Sequence, residues 1–173
     1  MVSDLKNIFL DAMSSVACTV NVITTDGPAG RAGMTVSAMS SVSADGDKPV
    51  LLVCLHHKAH ACDIIRKNNV FCVNVLNDTQ KNISDIFAGR VDISPSARFS
   101  HADWVKMPSG SPRLSSPLAA FDCHILSAER IGTHYVCMGM VQDVFKANDG
   151  VPLIYANRSY GPPVRFVPEE TDG

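Results

Sequence analysis

Between Gly33 and Ser43 the chain reads GMTVSAMSSVS, with five hydroxyls and two methionines where a buried strand ordinarily carries bulky branched residues. Short hydroxyl side chains beside approachable backbone N–H groups hold a phosphate, or the polar edge of a planar ring, without a strong local charge. That chemistry suits a bound nucleotide, and the same pattern also suits a strand with one wet face. A second candidate lies at Lys58, where an apolar strand gives way to a helix near His60. A cation beside a helix N-terminus is a natural anion seat. His56, His57, His60 and Cys62 fall within seven residues, but no second cluster supplies ligands at a recognised spacing, so no metal is expected. His134, after Gly132-Thr133, is an imidazole at the exposed head of a strand.

Several chemistries lack their signatures. There is no G-x-S-x-G elbow for a nucleophilic serine. Gly27, Gly30 and Gly33 are three residues apart, yet a strand follows them where a dinucleotide fingerprint requires a helix, so they read as turn residues. A net charge of -2 argues against nucleic acid. Six scattered cysteines without a C-x-x-C pair read as buried, reduced thiols of a cytoplasmic chain. No apolar run reaches the roughly 18 to 20 residues of a membrane span, and the start Met1-Val2-Ser3-Asp4 carries no basic export signal.

The elements that must position these residues follow from periodicity. Leu5, Ile8, Phe9, Ala12 and Met13 recur at helical spacing over 4–13, with Ser3 as a cap. A β-hairpin is expected from 17–25 through the turn at 26–30 into the Gly33 run. Pro49 to Leu55 reads as a strand buried on both faces or lining a barrel, 60–67 as a helix, 70–76 as a strand, and 79–87 as a helix capped by Asn77 or Asp78 and ended by Gly89. Residues 90–117 hold four prolines and the single tryptophan and read as a long loop over a site or a neighbour. A hairpin at 119–131 and 134–145 and a short strand at 151–155 complete the pattern, and the tail from Asn157 shows little periodicity. Strands paired with sequence neighbours and short peripheral helices predict one mainly-β domain over 1–173, an antiparallel barrel with helices outside it.

Several segments match a known family in order: Val20 to Thr25, Gly33 to Ala38 with Ser40 to Ser43, Val53-Cys54-Leu55, Phe71 to Asn77 with Gln80, Phe87-Ala88-Gly89, Gly132-Thr133-His134, and Leu153-Ile154-Tyr155 with Arg158 and Tyr160. From about Leu5 to Gly161 the chain resembles the short flavin reductases that serve two-component aromatic monooxygenases, most closely the reductase component of 4-hydroxyphenylacetate 3-monooxygenase. The resemblance implies an FMN-binding split β-barrel of Greek-key type, a homodimer, and reduction of FMN or FAD by NADH or NADPH. Reduced flavin would then diffuse to a separate oxygenase. It further implies that Met34, Thr35, Val36, Ser37 and Ala38 line the isoalloxazine, with Ser40 and Ser41 near the ribityl phosphate. Cys54, Leu55, His56, Lys58 and Ala61 would wrap the phosphate end. Val75, Leu76 and Asn77 with Phe87, Ala88, Gly89 and Arg90 would close the pocket, and His134, Tyr155, Arg158 and Tyr160 would lie by the nicotinamide. The family often carries two prolines where this chain has Asp45 to Pro49, and an acidic residue where Thr133 stands. No catalytic side chain is expected, because the hydride passes between two cofactors. The alternative on the same barrel is a flavin-binding or electron-transfer protein without turnover.

Overall fold

In the computed structural model, which describes residues 2–164, seven antiparallel strands form one strongly curved sheet. They are β2 (Asn21–Thr25), β3 (Ala32–Val36), β4 (Met39–Ser43), β5 (Val50–His56), β6 (Val70–Val75), β9 (Ala119–Ile131) and β10 (His134–Lys146), in the order β3-β2-β6-β9-β10-β5-β4. The two edge strands, β3 and β4, are consecutive in sequence and separated only by Ser37 and Ala38. A sheet can satisfy that connection only by curling until its edges meet. The sheet is therefore a barrel bridged by the chain at Ser37 and Ala38 and split there in its hydrogen bonding.

The Gly33 to Ser43 run is thus two strands on opposite edges, a correction to the single stretch read from sequence. β3 is largely buried, whereas Ser40 to Ser43 of β4 are exposed. The expected hairpin is present, with β2 pairing β3 from Asn21 opposite Val36 to Thr25 opposite Ala32. β5 alternates between fully and partly buried residues, as a barrel strand with one face inward does, and is not buried on both faces.

Inside the barrel, Ile23, Val53, Leu55, Phe71, Val73, Cys123 and Cys137 pack with Ala61, Cys62 and Ile65 of helix α2 (His60–Asn68). Asn69 ends α2 in a left-handed conformation (φ 60°) that asparagine tolerates, its N–H donating to the Ile65 carbonyl. The opposite face of β2 is covered by helix α3 (Lys81–Phe87), which brings Ile83, Ile86 and Phe87 onto Val20, Val22 and Leu76. Asn77 caps this region with Gln80 in a reciprocal capping box, and a 3-10 turn over Asp78–Gln80 precedes α3 where one continuous helix is expected. Helix α1 spans Val2–Ser14, so Ser3, expected just before the helix, lies within its first turn.

The segment 90–117 is not a loose loop. It holds a 3-10 turn over Pro95–His101 and a hairpin of β7 (Trp104–Lys106) and β8 (Pro112–Leu114). Its irregular backbone is satisfied by buried polar groups of the sheet: Thr24 donates to the Pro112 carbonyl, Asn74 Oδ1 accepts the Leu114 N–H at 2.7 Å, and Asp122 accepts the Ser109 N–H at 2.8 Å. Phe99 and Trp104 then pack against Phe87, with ring centroids 5.2 and 5.6 Å away.

The final expected strand shifts to β11 (Ile154–Ala156), which pairs with β1 (Cys18–Thr19) and with β12 (Ser159–Gly161). The β11–β12 turn uses Asn157 and Arg158, both at positive φ (49° and 58°), in a tail that shows little periodicity. The part of the tail beyond Val164 lies outside the described residues. All six cysteines are free, and burial pushes the Cys137 thiol up to about 11 and the Cys123 thiol to about 12, as unreactive core groups.

Candidate functional site

As an edge strand, β3 leaves half of its backbone N–H and C=O groups without a strand partner. Along that edge runs a groove made of two adjoining cavities, of about 450 and 180 Å³, that share Thr35 and Ala88. The larger lies between Ala32 to Thr35 of β3, the N-terminal turn of α2 (Ala59, His60, Ala61), Phe87 and Ala88 at the end of α3, and Pro95 and Arg98. The smaller continues past Val36 and Ser37 to Arg90, Tyr155 and Tyr160. Its size matches the roughly 300 to 1,000 Å³ typical of small-molecule sites.

Gly33 is the floor, and a Cβ there would lie 2.8 Å from Phe87 Cε1 and 3.1 Å from the Ile23 carbonyl oxygen. Only glycine leaves room for the strand to pass under the groove. The Thr35 hydroxyl donates to the Ser84 carbonyl at 2.7 Å, so it does not offer its proton to a ligand as expected from sequence. The donors along this wall are then the free edge of β3 and the Ser37 hydroxyl.

The groove has charge at both ends. At one, Lys58 and Arg98 face the N-terminal turn of α2, and no side chain caps that turn. Among the described residues neither cation enters any of the four ion pairs. Arg98 Nε is buried without a hydrogen-bond partner, an arrangement that costs about 1 to 3 kcal/mol unless a ligand supplies the acceptor. At the other end Arg90 bonds Asp85 at 3.0 Å and the Tyr160 hydroxyl at 2.9 Å, and lies over the Tyr155 and Tyr160 rings. Tyr160 also meets the Ser84 hydroxyl at 3.0 Å, and burial raises its phenol pKa. The phenol therefore remains protonated through the neutral range.

Of the residues singled out from sequence, Met34, Thr35, Val36, Ser37, His56, Lys58, Ala61, Phe87, Ala88, Arg90, Tyr155 and Tyr160 line this groove. Gly89, in a left-handed turn (φ 73°), sits beside it against Arg98. The structure places others elsewhere. Ser40 and Ser41 project from the far edge strand, and the Ala38 carbonyl accepts the Cys54 N–H. Leu55, Val75 and Leu76 are barrel or helix-packing core, and Asn77 faces a separate recess by Ser116 and Asn148. Arg158 borders an open recess with Lys81 and Asp85 beyond Tyr160. His134 lies at the Lys58 end, beside His56, and not with Tyr155 and Tyr160. Sequence reasoning missed Arg98, because the proline-rich segment that carries it has no period; the Arg98-Phe99 pair, a cation next to an aromatic anchor, was the available signal.

Fold and groove together define a split β-barrel with a groove of small-molecule size along an open strand edge and cationic side chains at both of its ends. The sequence pattern of the family described as "Flavin reductase like domain" matches residues 13–163, and the chain belongs to that family of oxidoreductases. Over 160 residues it is 40% identical to FMN reductase (NADH) RutF of Yersinia enterocolitica, covering 92% of this chain and 86% of that protein. The crystal structure of a protein from Haemophilus somnus 129pt assigned as a flavin reductase is 38% identical, with a TM-score of 0.84 over 91% of this chain and 98% of that one. BorF, the flavin reductase component of a bacterial two-component tryptophan halogenase, is 25% identical, with a TM-score of 0.82 over 92% and 99% of the two chains.

Proposed function

We propose that this chain reduces FMN with NADH and releases the product to a separate flavin-dependent oxygenase. The observation that carries the reading is the groove along β3, with a free strand edge along its wall and an unpartnered Arg98 beside Lys58 at its end. A tricyclic ring fits between β3 and the Phe87-Ala88 corner, where the free strand edge and Ser37 meet its polar rim. The phosphate fits at Lys58, Arg98 and the uncapped turn of α2, which together supply positive charge and N–H donors. A flavin held there would supply a hydride acceptor for a nicotinamide donor and a carrier for the electron pair. The residues here bind, orient and polarise, which is why no nucleophile or proton relay is needed. The groove is open along its length, consistent with a flavin that exchanges and is not retained. NADH as donor and FMN as acceptor follow the names of the curated relatives. A two-component oxygenase follows BorF, and the aromatic substrate follows the family resemblance alone.

Purified protein supplied with FMN is expected to oxidise NADH and to release reduced flavin that reduces cytochrome c in a second compartment across a dialysis membrane. NADH oxidation no faster than the protein-free control overturns the reductase reading. Retention of yellow flavin through dialysis with no response to NADH favours the electron-transfer alternative.

A homodimer is part of the same proposal. Leu5, Ile8, Phe9, Leu10 and Met13 of α1 are 46 to 72% exposed, an apolar face too large for a solvated helix. A second copy of the chain would cover it. Sedimentation equilibrium is expected to give twice the chain mass, and Phe9→Glu is expected to shift it toward monomer; a wild-type monomer at micromolar concentration removes the dimer. Among the described residues no helix is long and apolar enough to cross a membrane, and a cytoplasmic location is proposed on the reduced thiols.

A further inference from the structure

The end of the groove away from Lys58 is marked by a single charge. Among the described residues that line the smaller cavity, Arg90 alone carries one. Local sequence puts it there. Gly89, in its left-handed turn (φ 73°), closes α3 with the paired bonds of a Schellman ending: its own N–H donates to the Ile86 carbonyl at 3.1 Å, and the Arg90 N–H to the Asp85 carbonyl at 3.0 Å. The Arg90 side chain then returns to the same residue, Nη1 donating to Asp85 Oδ1 at 3.0 Å and to the Tyr160 hydroxyl at 2.9 Å. The Tyr160 oxygen is held in turn by the hydroxyl of Ser84, fully buried in α3 and 3.0 Å away. Backbone and side-chain bonds together fix the guanidinium beside Val36 and Ser37.

The other cations nearby do not share this position. Lys81, 5.7 Å from the Tyr160 ring centroid, and Arg158, paired with Asp11 at 3.5 Å, line the recess beyond Tyr160 and not the groove. The polar rim of a flavin ring meets the wall at Ser37, next to Arg90. Hydride transfer from a nicotinamide to a flavin adds two electrons and one proton to the ring, leaving one added negative charge in its pyrimidine half and a nicotinamide cation. A fixed cation at that rim therefore discriminates between the two redox states, because only the reduced ring is anionic there. Asp85 works against it. Its carboxylate, 24% exposed, shares the same nitrogen and cancels part of the field.

We propose that Arg90 is the charge that favours reduced over oxidised flavin, and that Asp85 is the counter-charge that keeps this preference small enough for the product to leave. This rests on the reductase reading above and deepens it. Arg90 meets the cofactor, whereas Asp85 is a positioning residue that acts through Arg90. An unopposed guanidinium would hold the reduced ring, and a reductase that supplies a separate oxygenase must surrender it.

The test compares the Kd of oxidised FMN with that of dithionite-reduced FMN, both by anaerobic ultrafiltration in mildly alkaline buffer, where the reduced ring is the anion. Neither measurement uses NADH. The phosphate is common to both states, so the contributions of Lys58 and Arg98 cancel in the ratio. Arg90→Gln is expected to lower the ratio of oxidised to reduced Kd about fivefold, the effect of one half-exposed charge contact and equal to a fall of about 20 mV in the potential of bound flavin. Arg90→Lys, which keeps the charge, is expected to retain most of the wild-type ratio. Asp85→Asn is expected to shift the ratio the other way, about threefold, with slower release of reduced FMN. Opposite shifts from the two partners of one ion pair are a result that a merely structural role does not produce. A ratio unchanged by Arg90→Gln overturns the proposal, as do shifts of the same sign in Arg90→Gln and Asp85→Asn. If wild type fails to oxidise NADH while the two variants keep their opposite shifts, the charge pair stands and the reductase reading falls.

Discussion

Arg98→Ala is expected to weaken FMN binding by about 10- to 100-fold, the loss of one charge-assisted contact worth about 1.5 to 3 kcal/mol. The guanidinium sits in the groove with Lys58, its Nε buried and unpartnered. In the flavin-free protein such a group opposes folding, because it has given up water without a replacement. Two opposite effects therefore follow from one substitution. Thermal stability without flavin should hold or rise, whereas the stabilisation by added FMN should shrink, since ligand linkage follows the affinity. Quenching of flavin fluorescence gives the affinity, and melting with and without FMN gives the pair of stabilities. Affinity within twofold of wild type removes Arg98 from the site, and a large loss of flavin-free stability reassigns it to holding the 95–101 turn in place.

Gly139→Ala is the substitution with the largest expected cost to the fold, about 3 kcal/mol, at the upper end of what overpacking a filled core exacts. A Cβ at Gly139 on β10 would lie 2.4 Å from Phe71 Cζ and 3.1 Å from Cys123 Cβ. Phe71 is fully buried among Ile23, Val53 and Val73 and has nowhere to retreat. At roughly 2 to 4 °C per kcal/mol for a chain this long, the melting temperature should drop by about 6 to 12 °C. Adding Phe71→Leu to Gly139→Ala should recover part of that loss, since the smaller ring-free side chain vacates the position the new methyl needs. A single variant that melts within about 2 °C of wild type, or a double variant no better than the single, shows that the clash is relieved by backbone movement.

The same glycine marks where sequence stopped being readable. As one small residue in the run VCMGMVQ, Gly139 carries no signal of its own; its role exists only because β6 and β9 bring Phe71 and Cys123 over it. Local signals fared better. The 26–30 turn, the hairpin of β9 and β10, and the Asn77 cap depend on residues close in sequence, and each formed where the residue types placed it. Where the chain lacks a period, as in the 90–117 segment and the tail, the β7–β8 and β11–β12 hairpins appear because buried partners such as Asn74 and strand β1 complete them. No local pattern encodes such partners.

The site divides along the same line. The sequence by itself determined the residue types of the groove: small residues and glycine along β3, a helix start after Lys58, a Phe-Ala-Gly corner, and through the ordered likeness of those segments the family. Only tertiary structure decided that Thr35 spends its proton on Ser84, that Ser40 and Ser41 leave on the opposite edge, that Arg98 enters from a distant segment, and that His134 joins His56 and not Tyr160. Periodicity and turn chemistry are short-range and are written in neighbouring residues. Which edges meet when a sheet curls is settled by the balance of burial and hydrogen bonding over the whole chain.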